Sequence, residues 1–146
     1  MLILAAEAHL AMLAHAYDGL PDEACGLMAG IPSTGECLKF YPCTNTAASS
    51  RIYALDPREY MRAERDAEDH GWELIGVMHS HTHTEPFPSP TDVAQAPDPG
   101  WHYVIVSLKR DRPQLRSYRI VDETITEEPV VRAAAVVGNA SSSVES

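Results

Sequence analysis

Residues Gly76 to Asp92 read G-V-M-H-S-H-T-H-T-E-P-F-P-S-P-T-D, with three histidines in five positions followed by a proline-broken polar loop. A mostly apolar run of strand length, residues 72–78, leads into this segment. Successive side chains of a strand point to opposite faces. One face of the predicted strand therefore carries Ile75, Val77, His79 and His81. We expect the two apolar side chains to face the core and the two imidazoles to extend the same row past the strand end.

The first two histidines of this segment are spaced to share one metal ion. Imidazoles at positions i and i+2 of a strand lie on the same side, and each nitrogen can bind zinc at roughly 2.0–2.1 Å. A catalytic zinc site has three protein ligands and one open position. We predict Asp92 as the third ligand, because it lies just past the loop and offers a carboxylate oxygen. His83 is the alternative third ligand, but it points the same way only if the strand continues into the proline-rich loop.

Ser89 and Asp92 also fit a purely structural pattern. Ser-Pro-Thr-Asp resembles a helical capping box with proline at the first helical position. On this interpretation the two side chains only begin a short helix, which Pro97 soon ends. The structural and chemical roles are compatible, because a helix start holds both side chains rigidly. A positioned serine hydroxyl beside a metal can donate a hydrogen bond to an oxyanion.

Hydrolysis at such a metal site also needs a group that carries protons. A carboxylate within reach of the attacking water can take up its proton. Several acidic residues are candidates, and the residues alone do not choose among them. Glu85 is near in sequence but lies in the loop, whereas Glu23 lies far upstream, in a polar Pro-Asp-Glu entry to an apolar strand.

Composition limits the class of protein. A chain of 146 residues is most simply one domain, which we place at residues 1–137, followed by a small polar tail at 138–146 that we expect to be disordered. The net charge of −10 argues against a nucleic-acid or membrane partner. The sequence start lacks the basic residues of a signal peptide, and no apolar run approaches the length of a membrane span, so we expect a cytoplasmic protein.

The three cysteines favour neither a disulfide framework nor a cysteine zinc site. Their number is odd, their spacing is irregular and no C-x-x-C is present. These features are typical of reduced thiols in a reducing compartment. We interpret Cys25, which lies close to Glu23, as a small buried residue rather than a nucleophile.

Two predicted helices interleave with several strands, which indicates an α/β or mixed α+β class with a sheet flanked by helices. The first helix runs from Ala5 to Tyr17, and the second begins at Asp56-Pro57 and ends near His70. Residues 101–108 form a strand that is apolar on both faces and is therefore central in its sheet. Residues 125–131 are expected to be extended. The predicted core-facing stripe of the first helix comprises Leu10, Leu13, Ala14 and Tyr17.

Five residues in this order and spacing resemble the motif of the JAMM (MPN+) metalloproteases. The pattern is H-S-H-x7-S-x-x-D, preceded by the glutamate of P-D-E-A-C-G-L. The resemblance implies a cytidine-deaminase-like central β-sheet flanked by helices. It implies one zinc ion per chain on His79, His81 and Asp92, with the fourth position for water. It further implies that Glu23 is the general base and acid and that Ser89 stabilises the oxyanion.

The resemblance covers roughly residues 2–129 and narrows to a subgroup. P-D-E-A-C-G-L, H-S-H-T-x-T-E and L-R-S-Y-R-I-V-D are most similar to the actinobacterial Mec-type sulfur carrier protein–cysteine hydrolases. Thr82 stands where proline often follows the second histidine in the family, and the Mec-type pattern shares this threonine. The implied reaction is hydrolysis of the amide bond after the C-terminal Gly-Gly of a ubiquitin-like sulfur carrier protein, releasing cysteine or a short peptide.

Three alternatives remain open on the sequence. A deubiquitinase-like isopeptidase of the same family would use the same five residues. A cupin-like metal protein matches part of the pattern through His79-x-His81-x3-Glu85, but it requires more strands and a later histidine. A non-catalytic scaffold of the same fold would bind partners only, although such relatives usually lack the ligands that are present in this sequence.

Overall fold

A computed structural model gives the structure of residues 1–96 and 98–134. The predicted tail at 138–146 and the last residues of the predicted domain lie outside this range. The strands and helices follow one another as β1 (Leu2–Leu4), α1 (Ala6–Asp18), β2 (Cys25–Ile31), β3 (Glu36–Cys43), α2 (Pro57–Asp69), β4 (Glu73–His81), α3 (Pro90–Ala94), β5 (His102–Ser107), β6 (Gln114–Val121), β7 (Thr124–Glu128) and β8 (Val130–Arg132).

The strands of the described residues form one eight-stranded sheet in the order β7-β6-β5-β4-β2-β3-β1-β8. Strand β4 lies in its middle, antiparallel to β2 and parallel to β5. Helix α1 packs on one face of the sheet, and α2 packs on the other. The predicted mixed α/β class, with a central sheet flanked by helices, is therefore confirmed.

Strand β5 carries apolar side chains into both cores, as its sequence predicts. Tyr103 and Ile105 lie in the cluster on the α2 side, whereas Val104 and Val106 lie in the cluster on the α1 side. Helix α2 begins as predicted, because the Asp56 carboxylate accepts a hydrogen bond from the Arg58 N–H at 2.8 Å.

The buried face of α1 differs from the predicted stripe. Leu10 and Tyr17 are 65% and 45% exposed, and Ala8, Met12 and Ala16 are buried instead. Apolar residues surround most of this helix, so their spacing does not select one face. The face with two alanines can approach the sheet closely, and that close packing determines which side is covered.

The predicted alternation along β4 is wrong at Ile75. This side chain lies in the α1-side core with Met78, whereas Val77 lies in the α2-side core. The pairing of β2 with β4 shifts register next to this residue, where Met28 pairs with Gly76 and Ala29 pairs with Leu74. Such a bulge adds one residue to one strand and reverses the side-chain alternation beyond it.

The extended stretch predicted at residues 125–131 is two strands rather than one. Strand β7 pairs with β6 at one edge of the sheet, and β8 pairs with β1 at the other edge. Only Pro129 separates them, and its missing N–H interrupts a strand ladder. Because consecutive strands lie on opposite edges, the sheet must curve until these edges approach each other.

A buried carboxylate lies at this meeting point. Glu128 accepts hydrogen bonds from the His102 ring nitrogen Nδ1 at 2.6 Å and from the Ser117 hydroxyl at 2.7 Å. Its side chain is only 5% exposed. Burial alone would raise the pKa of Glu128, but the hydrogen bonds from His102 and Ser117 lower it to about 2. The ionised carboxylate therefore stabilises the folded protein.

The depressed pKa of Glu128 predicts a loss of stability in acid. The folded-state pKa lies below the ordinary value of 4.5, so the stabilisation is present above pH 4.5 and is lost as the pH falls towards 2. Between pH 7 and pH 3 the free energy of unfolding of the wild type should fall by about 2 kcal/mol more than that of Glu128→Gln. Urea unfolding of both proteins across this range measures the difference, and parallel stability curves would contradict the prediction.

Candidate metal centre and active site

Strand β4 ends with two histidines whose rings converge on one carboxylate. The Nε2 atoms of His79 and His81 lie 3.1 Å apart. The Asp92 Oδ2 atom lies 3.2 Å from the first and 3.0 Å from the second. All three side chains are buried, and their ligand atoms lie within 4.8 Å of one another. Two imidazole nitrogens and one carboxylate oxygen in this arrangement form a group that can hold a metal ion.

Neighbouring groups fix the orientation of both imidazole rings. His81 Nδ1 lies 2.8 Å from the Glu85 carbonyl oxygen, a partner that needs a donor, so Nε2 carries the free lone pair. The ring of Tyr53 stacks on the ring of His79, with centroids 4.6 Å apart. Burial lowers the pKa of His79, which favours the neutral form that a metal requires.

Asp92 enters the cluster from the start of helix α3. The Ser89 N–H donates to Asp92 Oδ2 at 2.9 Å, and the Asp92 N–H donates to Ser89 Oγ at 3.1 Å. The predicted capping box is thus present, and it holds the carboxylate against the two imidazoles. Burial would raise the pKa of Asp92, but the close contacts of its carboxylate with His79 and His81 hold it well below its usual range.

Glu23 lies just before β2 and enters the same region from far upstream in the sequence. Its side chain is 4% exposed, and Oε1 has no hydrogen-bond partner among the described residues. Burial raises the pKa of Glu23 to about 7. A carboxylate with this pKa can both accept and return a proton near neutral pH. The side chain lines one cleft together with His81 and Ser89.

The main chain around Glu23 is fixed by three hydrogen bonds from other segments. Its N–H donates to the Ser49 carbonyl at 2.7 Å, and its carbonyl accepts from the Asn45 amide at 2.9 Å. The next N–H, of Ala24, donates to the buried Ser80 hydroxyl at 2.7 Å. Ser80 lies between the two clustered histidines, so this bond ties the position of Glu23 to β4. The sequence gives no local sign that Ser80 anchors the main chain next to Glu23.

Two other residues considered from the sequence lie outside the three-residue cluster. His83 lines the cleft but is not among the three converging ligand groups. Glu85 pairs at the surface with Lys109 and Arg110, at 3.1 and 2.7 Å. The cupin-like alternative, which needed Glu85 beside the histidines, is therefore wrong, and the mixed α/β fold excludes it as well.

Two clefts near the cluster share no lining residue. A cleft of about 730 Å³ is rich in aromatic side chains and reaches Tyr53, which stacks on His79. Its other aromatic walls are Tyr60, Trp101 and Tyr103. A second cleft of about 570 Å³ is lined by Glu23, His81 and other polar or charged residues. A substrate that extends from one cleft to the other would thus meet aromatic side chains in the first and polar side chains in the second.

Comparison with known proteins identifies the family. Residues 5–121 match the protein-family model described as prokaryotic homologs of the JAB domain. The chain belongs to this JAB (JAMM/MPN) family. The JAMM chain is 44% identical over 131 residues to the CysO-cysteine peptidase of Mycobacterium tuberculosis, a match that covers 89% of this chain and 90% of the relative.

Two further comparisons agree with this assignment. The desampylase of Haloferax volcanii is 38% identical over 111 residues, which are 73% of this JAMM chain and 80% of the relative. The solution structure of a Desulfitobacterium hafniense protein superimposes with a TM-score of 0.83 at 34% identity, covering 91% of this chain and 93% of that one. The predicted family and the predicted hydrolase class are confirmed, and a non-catalytic scaffold is disfavoured.

Proposed function

We propose that the protein is a zinc-dependent peptidase that hydrolyses the amide bond after the C-terminal Gly-Gly of a ubiquitin-like sulfur carrier protein. The product would be the carrier and free cysteine, or a short peptide. One observation supports this most directly: Glu23, whose Oε1 has no partner among the described residues, lines the same cleft as His81, a member of the converging His79, His81 and Asp92 group. The 44% identity to a CysO-cysteine peptidase supports the substrate class.

His79, His81 and Asp92 are the residues that would hold the zinc ion. The donor set fits, because two oriented imidazole nitrogens and one carboxylate oxygen surround a single point. When bound, zinc supplies Lewis acidity towards the scissile carbonyl and lowers the pKa of water. The Glu85 carbonyl fixes the orientation of the His81 ring and strengthens its ligand nitrogen.

Glu23 carries the proton in the proposed reaction. Its Oε1 atom has no competing partner among the described residues, so it is free to accept a proton from the attacking water. It then donates this proton to the amine nitrogen that leaves with the cysteine. The three hydrogen bonds that fix its main chain keep the carboxyl in place for both transfers.

Ser89 stabilises the negative charge that develops on the scissile carbonyl oxygen. Its oxygen accepts the Asp92 N–H, so its own O–H proton remains available to donate. A donor aimed at the developing oxyanion is worth about 10²–10³ in kcat. The capping box thus holds the hydroxyl at a fixed position beside the cluster.

Two substitutions of Ser89 separate its catalytic role from its helix-capping role. Ser89→Ala removes the cap and the donor, whereas glycine is a tolerated N-cap that lacks only the hydroxyl. Both variants should lose about 10²–10³ in kcat. Only Ser89→Ala should also lose about 1 kcal/mol of stability. Steady-state kinetics and urea unfolding of both variants test this. Full activity in Ser89→Gly would show that the hydroxyl is dispensable.

The proposed substrate tail is suited to a passage close to the buried cluster. Glycine residues lack side chains, so a Gly-Gly end can pass close to the buried cluster where bulkier residues would clash. The body of the carrier would then lie on the side of the aromatic cleft. The scissile bond would be held beside Glu23 by the walls of the cleft that Glu23 lines.

The setting is expected to be the cytoplasm, with neither nucleic acid nor membrane as a partner. The net charge of −10 disfavours a polyanionic partner. All three cysteines are free and buried, as expected in a reducing compartment. Burial raises the pKa of the Cys25 thiol to about 12, which agrees with an inert core residue. No helix in residues 1–96 or 98–134 is long and apolar enough to span a membrane.

The test is to incubate the zinc-loaded protein with a CysO–cysteine adduct and, separately, with ubiquitin conjugates. Mass spectrometry of the products should show free cysteine and the carrier ending in Gly-Gly. The similarity to a desampylase supports an isopeptidase as the second candidate. Cleavage of ubiquitin conjugates alone would favour that candidate and overturn the cysteine-adduct assignment.

A further inference from the structure

The polar cleft beside Glu23 has a basic wall, formed by Arg51 and His83, to which the proposed reaction assigns no role. Arg51 and His83 both line it, in addition to Glu23, His81 and Ser89. Among the described residues that line this cleft, Glu23 is the only one with a carboxylate. In a chain with a net charge of −10, a cleft with so few acids is suited to an anionic group.

The main chain at Arg51 is tied to the catalytic elements. The Ser49 hydroxyl accepts the Arg51 N–H at 3.0 Å, and the Ser49 carbonyl accepts the Glu23 N–H at 2.7 Å. The Ser50 carbonyl accepts the Thr82 hydroxyl at 3.1 Å, next to the end of β4. The loop is therefore fixed to Glu23 on one side and to the histidine strand on the other.

The Arg51 guanidinium is available to a ligand. Among the residues that the structure describes, no carboxylate lies within 4.0 Å of it. By contrast, Lys109 and Arg110 are already paired with Glu85. Guanidinium groups bind carboxylates through two parallel hydrogen bonds, so an unpaired arginine in a cleft fits a carboxylate ligand.

The leaving groups of the two candidate reactions differ in this chemical feature. A cysteine joined through its α-amine carries a free carboxylate two bonds from the scissile nitrogen. A lysine side chain joined through its ε-amine carries no charge near that nitrogen. In the proposed reaction Glu23 protonates the leaving nitrogen. A basic wall beside Glu23 would therefore distinguish the cysteine leaving group from the lysine leaving group.

We propose that Arg51 binds the α-carboxylate of the amino acid that is released, with His83 as a neighbouring ring N–H donor. This inference rests on the proposed function and deepens it. Arg51 is a specificity-determining residue that selects adducts ending in a free amino acid over isopeptide conjugates. The contact lies at an exposed position, so the selection is expected to be about tenfold rather than larger.

Two matched substrates isolate the contact. Ligation of a CysO thioester to cysteine gives the free-acid adduct, and ligation to cysteinamide gives the same adduct without the negative charge. Zinc-loaded wild type should cleave the free acid with a kcat/KM about tenfold higher, mainly through KM. Arg51→Gln should cleave both adducts equally. Arg65→Gln, which removes an exposed charge on α2 away from the cleft, should behave as the wild type.

A binding measurement supplies a readout that does not depend on turnover. Calorimetry with Glu23→Gln, whose turnover is expected to be about 10²–10⁴-fold lower, should show tighter binding of the free-acid adduct than of the carboxamide, and added salt should reduce the difference. Adding Arg51→Gln to this variant should abolish the preference.

The possible results separate this inference from the proposed function. If the wild type cleaves or binds the two adducts equally, or Arg51→Gln keeps the preference, the Arg51 assignment is overturned while the peptidase function stands. If the zinc-loaded wild type cleaves neither adduct, the peptidase function fails. The binding experiment then still decides whether Arg51 recognises a carboxylate.

Discussion

Glu23→Gln should retain its metal and lose turnover by about 10²–10⁴-fold. Glutamine has the size of glutamate but cannot take a proton from water at neutral pH. The side chain is buried, and the carboxylate is not one of the three converging ligand groups, so the metal site should be unaffected. Zinc content measured by mass spectrometry should stay near one per chain, while cleavage of the carrier adduct falls.

The matched control for this variant is Glu85→Gln. Glu85 lies close to the histidines in sequence but is paired with Lys109 and Arg110 at the surface. Its substitution should leave both zinc content and turnover near wild-type values. Turnover that survives in Glu23→Gln would remove the proton carrier from the mechanism. Loss of zinc in the same variant would instead make the carboxylate a ligand.

The stability of the metal-free protein gives an independent check on the environment of Glu23. Burial raises the pKa of Glu23 from 4.5 to about 7, so the folded state favours the protonated form. The stabilisation from this preference is complete below pH 4.5 and is lost as the pH rises through 7. The metal-free wild type should therefore lose stability relative to Glu23→Gln over this range, and urea unfolding at pH 5 and pH 8 measures the change.

Local patterns in the sequence predict most of the elements but not how they pack. The Asp56 cap, the two-sided apolar strand at residues 101–108 and the Ser89 capping box are short-range features, and all three are confirmed. The covered face of α1 and the bulge beside Ile75 depend on contacts with distant segments. Residues within one element carry no signal of those contacts.

The candidate site likewise has one part that local sequence predicts and another that depends on contacts between distant segments. His79, His81 and Asp92 lie within one segment, and their strand and loop spacing predicts their convergence. Glu23 reaches them only because β2 pairs antiparallel with β4, which places Cys25 opposite His79. Spacing along the chain cannot reveal this proximity, and only the family resemblance singled out Glu23. The anchoring roles of Asn45 and Ser80 depend on contacts between distant segments and were not predicted.

The two roles of the Ser89–Asp92 pair explain why a helix of only five residues is placed here. Asp92 must hold its carboxylate against two imidazoles while its own N–H stays paired in a buried setting. The capping box satisfies that N–H through Ser89 Oγ and adds a donor to the carboxylate. One structural motif thus orients a metal-binding oxygen and the hydroxyl proposed to stabilise the oxyanion.

His81→Ala should abolish zinc binding and, with it, all turnover. The substitution removes one of three converging ligand groups, so the loss of affinity should exceed the roughly 10–100-fold that removal of a mere supporting residue costs. The protein should remain folded, because His81 belongs to neither hydrophobic core. Zinc content after dialysis against a weak chelator, together with a circular dichroism melt, measures both expectations.

His83→Ala is the matched control, because it removes the other imidazole of the same segment. This ring lines the cleft but lies outside the converging group, so the variant should keep about one zinc per chain. If His83→Ala lost the metal and His81→Ala kept it, the strand would have to continue into the loop in solution. The ligand set would then include His83, and the side-chain geometry at the end of β4 would be wrong.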